Sequence, residues 1–217
     1  MAEKTVIDKL LIQLITDGQD RNDILSQVEM FLEGGGRWVQ LRMKDMPESN
    51  IIETGKELKK LCSEHDAVFI LNDHPHLVEK IGADGVHIGK NDISPAEARK
   101  ILGSGAIIGC TANTFEDIRK LKEYDIDYIG LGPYRFTTTK KNLSPVLGEG
   151  GYREIFNKMK HEGVDIPVTA IGGIVLDDVP KLLNAGVKNI AVSGAVNKSA
   201  NPRKITEEFL KLLRNNI

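Results

Sequence analysis

A closed eight-stranded parallel barrel wrapped in helices, the (β/α)8 or TIM architecture of the α/β class, is the fold this sequence predicts. Three observations predict it. Short segments of strand length alternate with helical segments eight times in about 200 residues. The strand-like segments are nearly all apolar, as parallel strands covered on both faces are. Polar residues follow strand after strand, and such a barrel gathers its chemistry at strand C-terminal ends. A doubly wound open sheet is the alternative. No Gly-rich dinucleotide fingerprint follows the first strand, which weighs against it. No linker interrupts the alternation, so residues 1–217 read as a single barrel domain.

The elements follow in order. Leu11 to Thr16 is a short apolar strand stopped by Asp17-Gly18. Asn22 to Leu32 carries Ile24, Val28 and Leu32 on one helical face and ends at Gly34-Gly35-Gly36. Trp38 to Leu41 is the second strand. Ser49 is expected to cap a helix carrying Ile52, Leu58 and Leu61. Ala67 to Leu71 is the third strand, Leu77 to Ile81 a short helix, and Gly85 to Ile88 the fourth strand. Ser94-Pro95-Ala96-Glu97 has the form of a capping box with proline in the first turn. Ala106 to Cys110 is the fifth strand, followed by a helix from Phe115 to Tyr124. Tyr128 to Leu131 is the sixth strand, ended by Gly132-Pro133. A helix from Tyr152 to His161 and a seventh strand from Val168 to Ile171 come next. Leu176 to Ala185 is helical and closed by Gly186. Asn189 to Val192 is the eighth strand, and Pro202 to Arg214 an amphipathic last helix.

Composition narrows the function classes. A net charge of -2 offers no basic surface for nucleic acid. No apolar run approaches the ~20 residues of a membrane span. The N-terminus opens no signal-peptide pattern. Cys62 and Cys110 are the only cysteines and lack metal-site spacing, which fits a reduced compartment. A cytoplasmic protein acting on small molecules is the expectation. The sequence leaves the oligomeric state open, a homo-oligomer included.

The expected mouth holds Gln40, Arg42, Lys44, Asn72, Asp73, Asp92, Thr111, Thr137, Thr139, Lys140, Gly173 and Ser193. It contains cations, hydroxyls and two carboxylates, and it lacks a nucleophile–base pair. The bunched Thr137-Thr138-Thr139-Lys140-Lys141 suits an anion, most often a phosphate; a solvated loop is the other reading. Gly172-Gly173 and Ser193-Gly194 suit a phosphate cup where backbone N–H groups approach the anion. The cations exceed the needs of one monophosphate, which hints at a monophosphate and a diphosphate. Asp73 and Asp92 close neighbouring strands, an arrangement suited to Mg²⁺ bridging protein and phosphate oxygens. His74, His76 and His87 lie near, but His-Pro-His on a turn makes a poor zinc pair. His87 reads as a packed or hydrogen-bonding strand residue.

These residues together resemble the thiamine-phosphate synthase (thiamine-phosphate pyrophosphorylase) family, over almost the whole chain. Gln40-Leu41-Arg42-Met43-Lys44 is similar to its Gln-x-Arg-x-Lys segment, which implies contact with a pyrimidine diphosphate. Asn72-Asp73 resembles its Asn-Asp, with asparagine on the pyrimidine and aspartate on Mg²⁺. Asp84-Gly85-Val86-His87-Ile88-Gly89, then Asp92, resembles its Asp-Gly-x-His-x-Gly-x-x-Asp, which makes Asp92 the second metal ligand. Thr111 stands where that family touches the pyrimidine. Gly132-Pro133 through Thr137, Thr138, Thr139 and Lys140 resembles its threonine–lysine loop. There the threonines meet the thiazole phosphate and the lysine the diphosphate. Gly172-Gly173-Ile174 and Val192-Ser193 match its phosphate cup. Met43, Arg135-Phe136, Cys110 and Asn113 depart from the family pattern.

The resemblance implies a transferase joining 4-amino-2-methyl-5-hydroxymethylpyrimidine diphosphate to 4-methyl-5-(2-phosphoethyl)thiazole. The products are thiamine phosphate and diphosphate. Arg42, Lys44, Lys140 and Mg²⁺ would stabilise the departing diphosphate. The rivals are a thiazole tautomerase-like isomerase, a phosphosugar isomerase or epimerase, and a non-catalytic binder of thiamine intermediates. The tautomerase would want a histidine near Asn113. Residues 134–150 are expected to form a lid hinged at Gly148, Gly150 and Gly151.

Overall fold

The structure is a computed structural model and describes residue 7 and residues 9–136 and 145–215. Eight strands close a barrel in chain order: β1 Ile12–Ile15, β2 Trp38–Leu41, β3 Val68–Asn72, β4 Gly85–Ile88, β5 Ile107–Ala112, β6 Tyr128–Leu131, β7 Val168–Ile171 and β8 Asn189–Val192. Every neighbouring pair is parallel, and β1 closes on β8 through Gln13 opposite Ala191. The helices are α1 Arg21–Glu33, α2 Glu48–Glu64, α3 Pro75–Ile81, α4 Pro95–Leu102, α5 Phe115–Leu121, α6 Gly148–His161, α7 Val179–Asn184, α8 Gly194–Asn197 and α9 Pro202–Arg214.

The hydrophobic pattern explains the two-layered core. Successive strand residues face opposite sides. Val39, Leu41, Phe69, Leu71, Val86 and Ile108 pack with helix residues such as Ile24, Phe31 and Leu58 in the large outer cluster. A smaller cluster joins Trp38, Ile70 and Tyr128 with Ile7. Trp38 and Tyr128 come from strands far apart around the barrel, yet their rings meet edge-to-face at 4.9 Å. They therefore meet in its interior. Ile7 closes the end where the strands begin, and Asn189 Nδ2 donates to its carbonyl at 3.0 Å. That same end is tied by charged groups. Arg99 bridges Asp127, whose Oδ2 accepts from Ile108 N at 2.7 Å. Lys59 bridges Asp84, whose Oδ2 accepts from Phe69 N at 2.8 Å.

Several expectations need correction. Ser49 does not cap α2: Pro47 holds the cap position in an extended conformation, and the Ser49 hydroxyl donates to Asn50 Oδ1. The Ser94 capping box is present with both reciprocal bonds. Thr111 lies inside β5, paired with Gly130, and does not follow it. The helix starting at Phe115 ends at Leu121, because the chain turns to send Ile126 into the core. The helix expected from Leu176 begins as a 3-10 turn, Leu176–Asp178, before α7. Pro180 has no N–H to extend an α-helical ladder back to Leu176. Finally, Gly148, Gly150 and Gly151 form the first turn of α6 and are not a free hinge. Gly148 N donates to Tyr134 O at 3.0 Å and Leu147 N to Pro133 O at 2.9 Å, so the two ends of the loop are tied together.

Candidate active site

The mouth begins with β1 and β2. Thr16 is buried and accepts from Arg42 N at 2.9 Å, so it fixes where the chain leaves β2. Gln40, buried inside β2, donates from Nε2 to Asn72 Oδ1 at 2.7 Å. That bond sets the amide at the end of β3. Arg42 is half-buried and Lys44 exposed.

Asp73 follows at φ +65°, a left-handed conformation that non-glycine residues adopt uncommonly and Asp more readily than most. Its backbone N–H donates to His87 O at 2.9 Å, which ties it to β4. Its carboxyl meets that of Asp92. Burial and then the Asp92 contact push the Asp73 carboxyl up to about 6, while Asn72 and Arg42 pull it down. Asp92 is itself held by Gly89 N, which donates to Oδ2 at 2.7 Å. Asp73 directly after β3 and Asp92 in the loop after β4 thus bring two carboxyls together.

Thr111 Oγ1 on β5 lies 2.9 Å from His87 Nε2, and His87 Nδ1 lies 3.1 Å from the Tyr128 hydroxyl. His87 is therefore the hydrogen-bonding strand residue expected. His76 is bound to Glu48 at 2.8 Å, away from His87. Among the described residues no three of His, Cys, Asp and Glu converge on a point. Asn113 donates from Nδ2 to Gly132 O at 2.5 Å, which holds the chain where it leaves β6.

The other half of the mouth lies at β7 and β8. Gly172 and Gly173 have φ of +101° and +67°. A Cβ on Gly173 would stand 3.0 Å from Phe136 O, so the β6 and β7 loops touch there. A latch joins the same loops: Arg135 Nη2 donates to Asp178 Oδ1 at 2.6 Å, and Asp178 Oδ2 accepts from Val175 N at 2.9 Å. Arg135 N adds a bond to Gly172 O at 2.9 Å. Val192 ends β8, and Ser193 Oγ accepts from Asn197 Nδ2 at 3.3 Å. Asn197 also donates to Ile15 O, which carries the contact round to β1. Thr137, Thr138, Thr139 and Lys140 lie outside the described residues.

Thr16, Gln13, Tyr128 and the Arg135–Asp178 latch also belong to this framework, beyond the residues expected from the sequence. Gln13 and Thr16 carried a signal, being polar residues in or beside an apolar strand. The latch carried none, because its partners lie 43 positions apart.

A barrel whose mouth gathers carboxylates, a cation, hydroxyls and glycine turns defines a class: a (β/α)8 enzyme working on phosphorylated small molecules. The comparisons with known proteins specify it. The family model described as thiamine monophosphate synthase matches residues 12–196. A thiamine-phosphate synthase of Phocaeicola vulgatus is 47% identical over 98% of this chain and 100% of its own length. One from Pyrococcus abyssi is 36% identical over 95% of this chain and 96% of its own length. The solved thiamine phosphate pyrophosphorylase from Pyrococcus furiosus superposes with a TM-score of 0.85 at 34% identity, covering 98% of this chain and 99% of its own. The chain belongs to the thiamine-phosphate synthase family. It is an enzyme, a transferase of thiamine biosynthesis that condenses the pyrimidine diphosphate with the thiazole phosphate, and the tautomerase-like and non-catalytic readings are not favoured.

Proposed function

We propose that Asp73 and Asp92 hold Mg²⁺ and that the mouth works by cation-assisted departure of diphosphate. The observation that carries this is the Asp73 carboxyl pressed against Asp92 beside Arg42. Two hard oxygen donors at one point fit Mg²⁺, which takes one or two carboxylates and fills its other positions with water and phosphate oxygens. A bound dication would offset both the burial and the Asp92 contact that raise the Asp73 carboxyl. When present, Mg²⁺ would neutralise charge on the leaving diphosphate.

The remaining roles belong to the chain. Gln40 and Asn72, bonded to each other, orient the aminopyrimidine together with Thr111. Arg42 and Lys44 receive the diphosphate, whose charge grows as the methylene C–O bond breaks. The aminopyrimidine carries the positive charge left on the methylene carbon. The thiazole nitrogen then donates its electron pair to that carbon. Gly173, Val192 and Ser193 hold the thiazole phosphate, with Thr137, Thr138 and Thr139 assigned there from sequence. Lys140, also assigned from sequence, acts on the leaving diphosphate. No step needs a side-chain nucleophile or base; positioning and electrostatics suffice. This reading treats the chain as one barrel domain working in the cytoplasm.

Titration calorimetry with Mg²⁺, with and without inorganic diphosphate, tests the metal assignment. Binding should tighten with diphosphate and be lost in Asp92→Asn. Equal Mg²⁺ affinity in the wild type and that variant would contradict it. Lys140→Ala should lower kcat by about 10²–10³, as loss of a transition-state donor does. Single-turnover kinetics would show the fall in the chemical step; a change confined to KM would make Lys140 a ground-state anchor.

A further inference from the structure

Four side chains from four strands form one polar chain across the barrel interior. Gln13 on β1 donates from Nε2 to the Tyr128 hydroxyl on β6 at 3.4 Å. That hydroxyl lies 3.1 Å from His87 Nδ1 on β4. His87 Nε2 lies 2.9 Å from Thr111 Oγ1 on β5. Gln13, His87 and Tyr128 are 2%, 8% and 0% exposed, whereas Thr111 is half-buried. Two strand glycines make the room. A Cβ on Gly109 would stand 2.1 Å from Tyr128 Cζ, and one on Gly130 would stand 2.9 Å from His87 Cε1. Glycine inside a strand often marks such close approach.

We propose that this chain is directional, and that His87 is a positioning residue that makes Thr111 a hydrogen-bond donor to the pyrimidine substrate. The inference rests on the reading that Thr111 meets that substrate. Its logic is donor counting. The Tyr128 hydroxyl has one hydrogen, and burial pushes its ionisation up, so the hydrogen stays. The hydroxyl accepts from Gln13 and gives its own hydrogen to His87 Nδ1. His87 then carries its proton on Nε2 and donates it to Thr111 Oγ1. The Thr111 hydrogen is thereby turned away from His87 and is available at the mouth. It pairs with a ring nitrogen of the aminopyrimidine, an acceptor, and not with the amino group. Were the Gln13 amide turned over, every bond in the chain would reverse, and Thr111 would present only a lone pair.

Ring ¹⁵N–¹H correlation spectra of the intact enzyme, with His87→Gln to assign the signal, show which nitrogen is protonated. Protonation at Nε2 alone is expected. A proton on Nδ1 would overturn the proposal. Kinetics supply the second readout. Tyr128→Phe keeps the ring against Trp38 and removes the hydroxyl. It should raise the KM for the pyrimidine diphosphate roughly five- to tenfold, as loss of about one hydrogen bond would. The KM for the thiazole phosphate should hardly move. Equal rises for both substrates, or no rise, would count against the relay. Thr111→Ser should retain the wild-type KM for the pyrimidine diphosphate, and Thr111→Val should raise it. An unchanged KM in Thr111→Val, with the proton still on Nε2, would instead overturn the Thr111 reading itself.

Discussion

Asp73 combines two costs in one residue, a left-handed backbone and a carboxyl held against Asp92. The two separate by substitution. Asparagine tolerates φ near +65° and removes the charge, whereas alanine removes the charge but strains the backbone by about 1–2 kcal/mol. In EDTA near neutral pH, Asp73→Asn should melt at or above the wild type, because ionisation of the raised carboxyl opposes folding there. Asp73→Ala should melt lower. If both melted well below the wild type, the carboxyl would be a structural support. The proposed anion end needs similar care. A side chain on Gly173 would meet both an unfavourable φ and the Phe136 carbonyl, so a large substitution there reports loop damage as well as lost binding. Ser193→Ala is cleaner. It should raise the KM for the thiazole phosphate several-fold, about one hydrogen bond, with little change for the pyrimidine diphosphate. Asn72, Asp73 and Asp92 were legible in the sequence because each ends or follows a strand, and Gln40 because it is a polar residue inside the apolar β2. Gln13 and Tyr128 were not, since their meeting depends on two strands 115 positions apart facing one interior.

The strands and helices divide their work between the two ends of the barrel. Arg99 reaches from α4 to Asp127 and to the Ala106 carbonyl, at the end remote from the carboxylates. Arg99→Ala should cost about 2 kcal/mol by denaturant unfolding, typical of hydrogen bonds to charged groups, and leave both KM values alone. The Arg135–Asp178 latch lies at the working end and should behave otherwise. Asp178→Asn should raise the KM for the thiazole phosphate, because it loosens the Gly172-Gly173 turn from the β6 loop. A stability loss without a kinetic change would make the latch merely structural. Element identity was legible from periodicity and caps, as the Ser94 box illustrates. Element ends were less so. Tertiary contacts decided them: Thr111 is drawn into β5 by Gly130, and α6 starts early because Tyr134 receives the Gly148 N–H.

The closed barrel makes a site from residues no short segment could assemble. Strands β2 to β5 bring Gln40, Arg42, Asn72, Asp73 and Thr111 to one side of the mouth, joined there by Asp92 from the loop after β4. Strands β7 and β8 bring Gly173 and Ser193 to the other. Eight apolar strand segments made that closure legible before any contact was known. The central claim is that this mouth joins the two halves of thiamine phosphate through departure of diphosphate. The direct measurement mixes the enzyme with the pyrimidine diphosphate, the thiazole phosphate and Mg²⁺, and quantifies thiamine phosphate and diphosphate together. Equal amounts of both products, abolished by EDTA and restored by added Mg²⁺, are expected. Diphosphate release without thiamine phosphate, or full turnover in EDTA, would contradict the account.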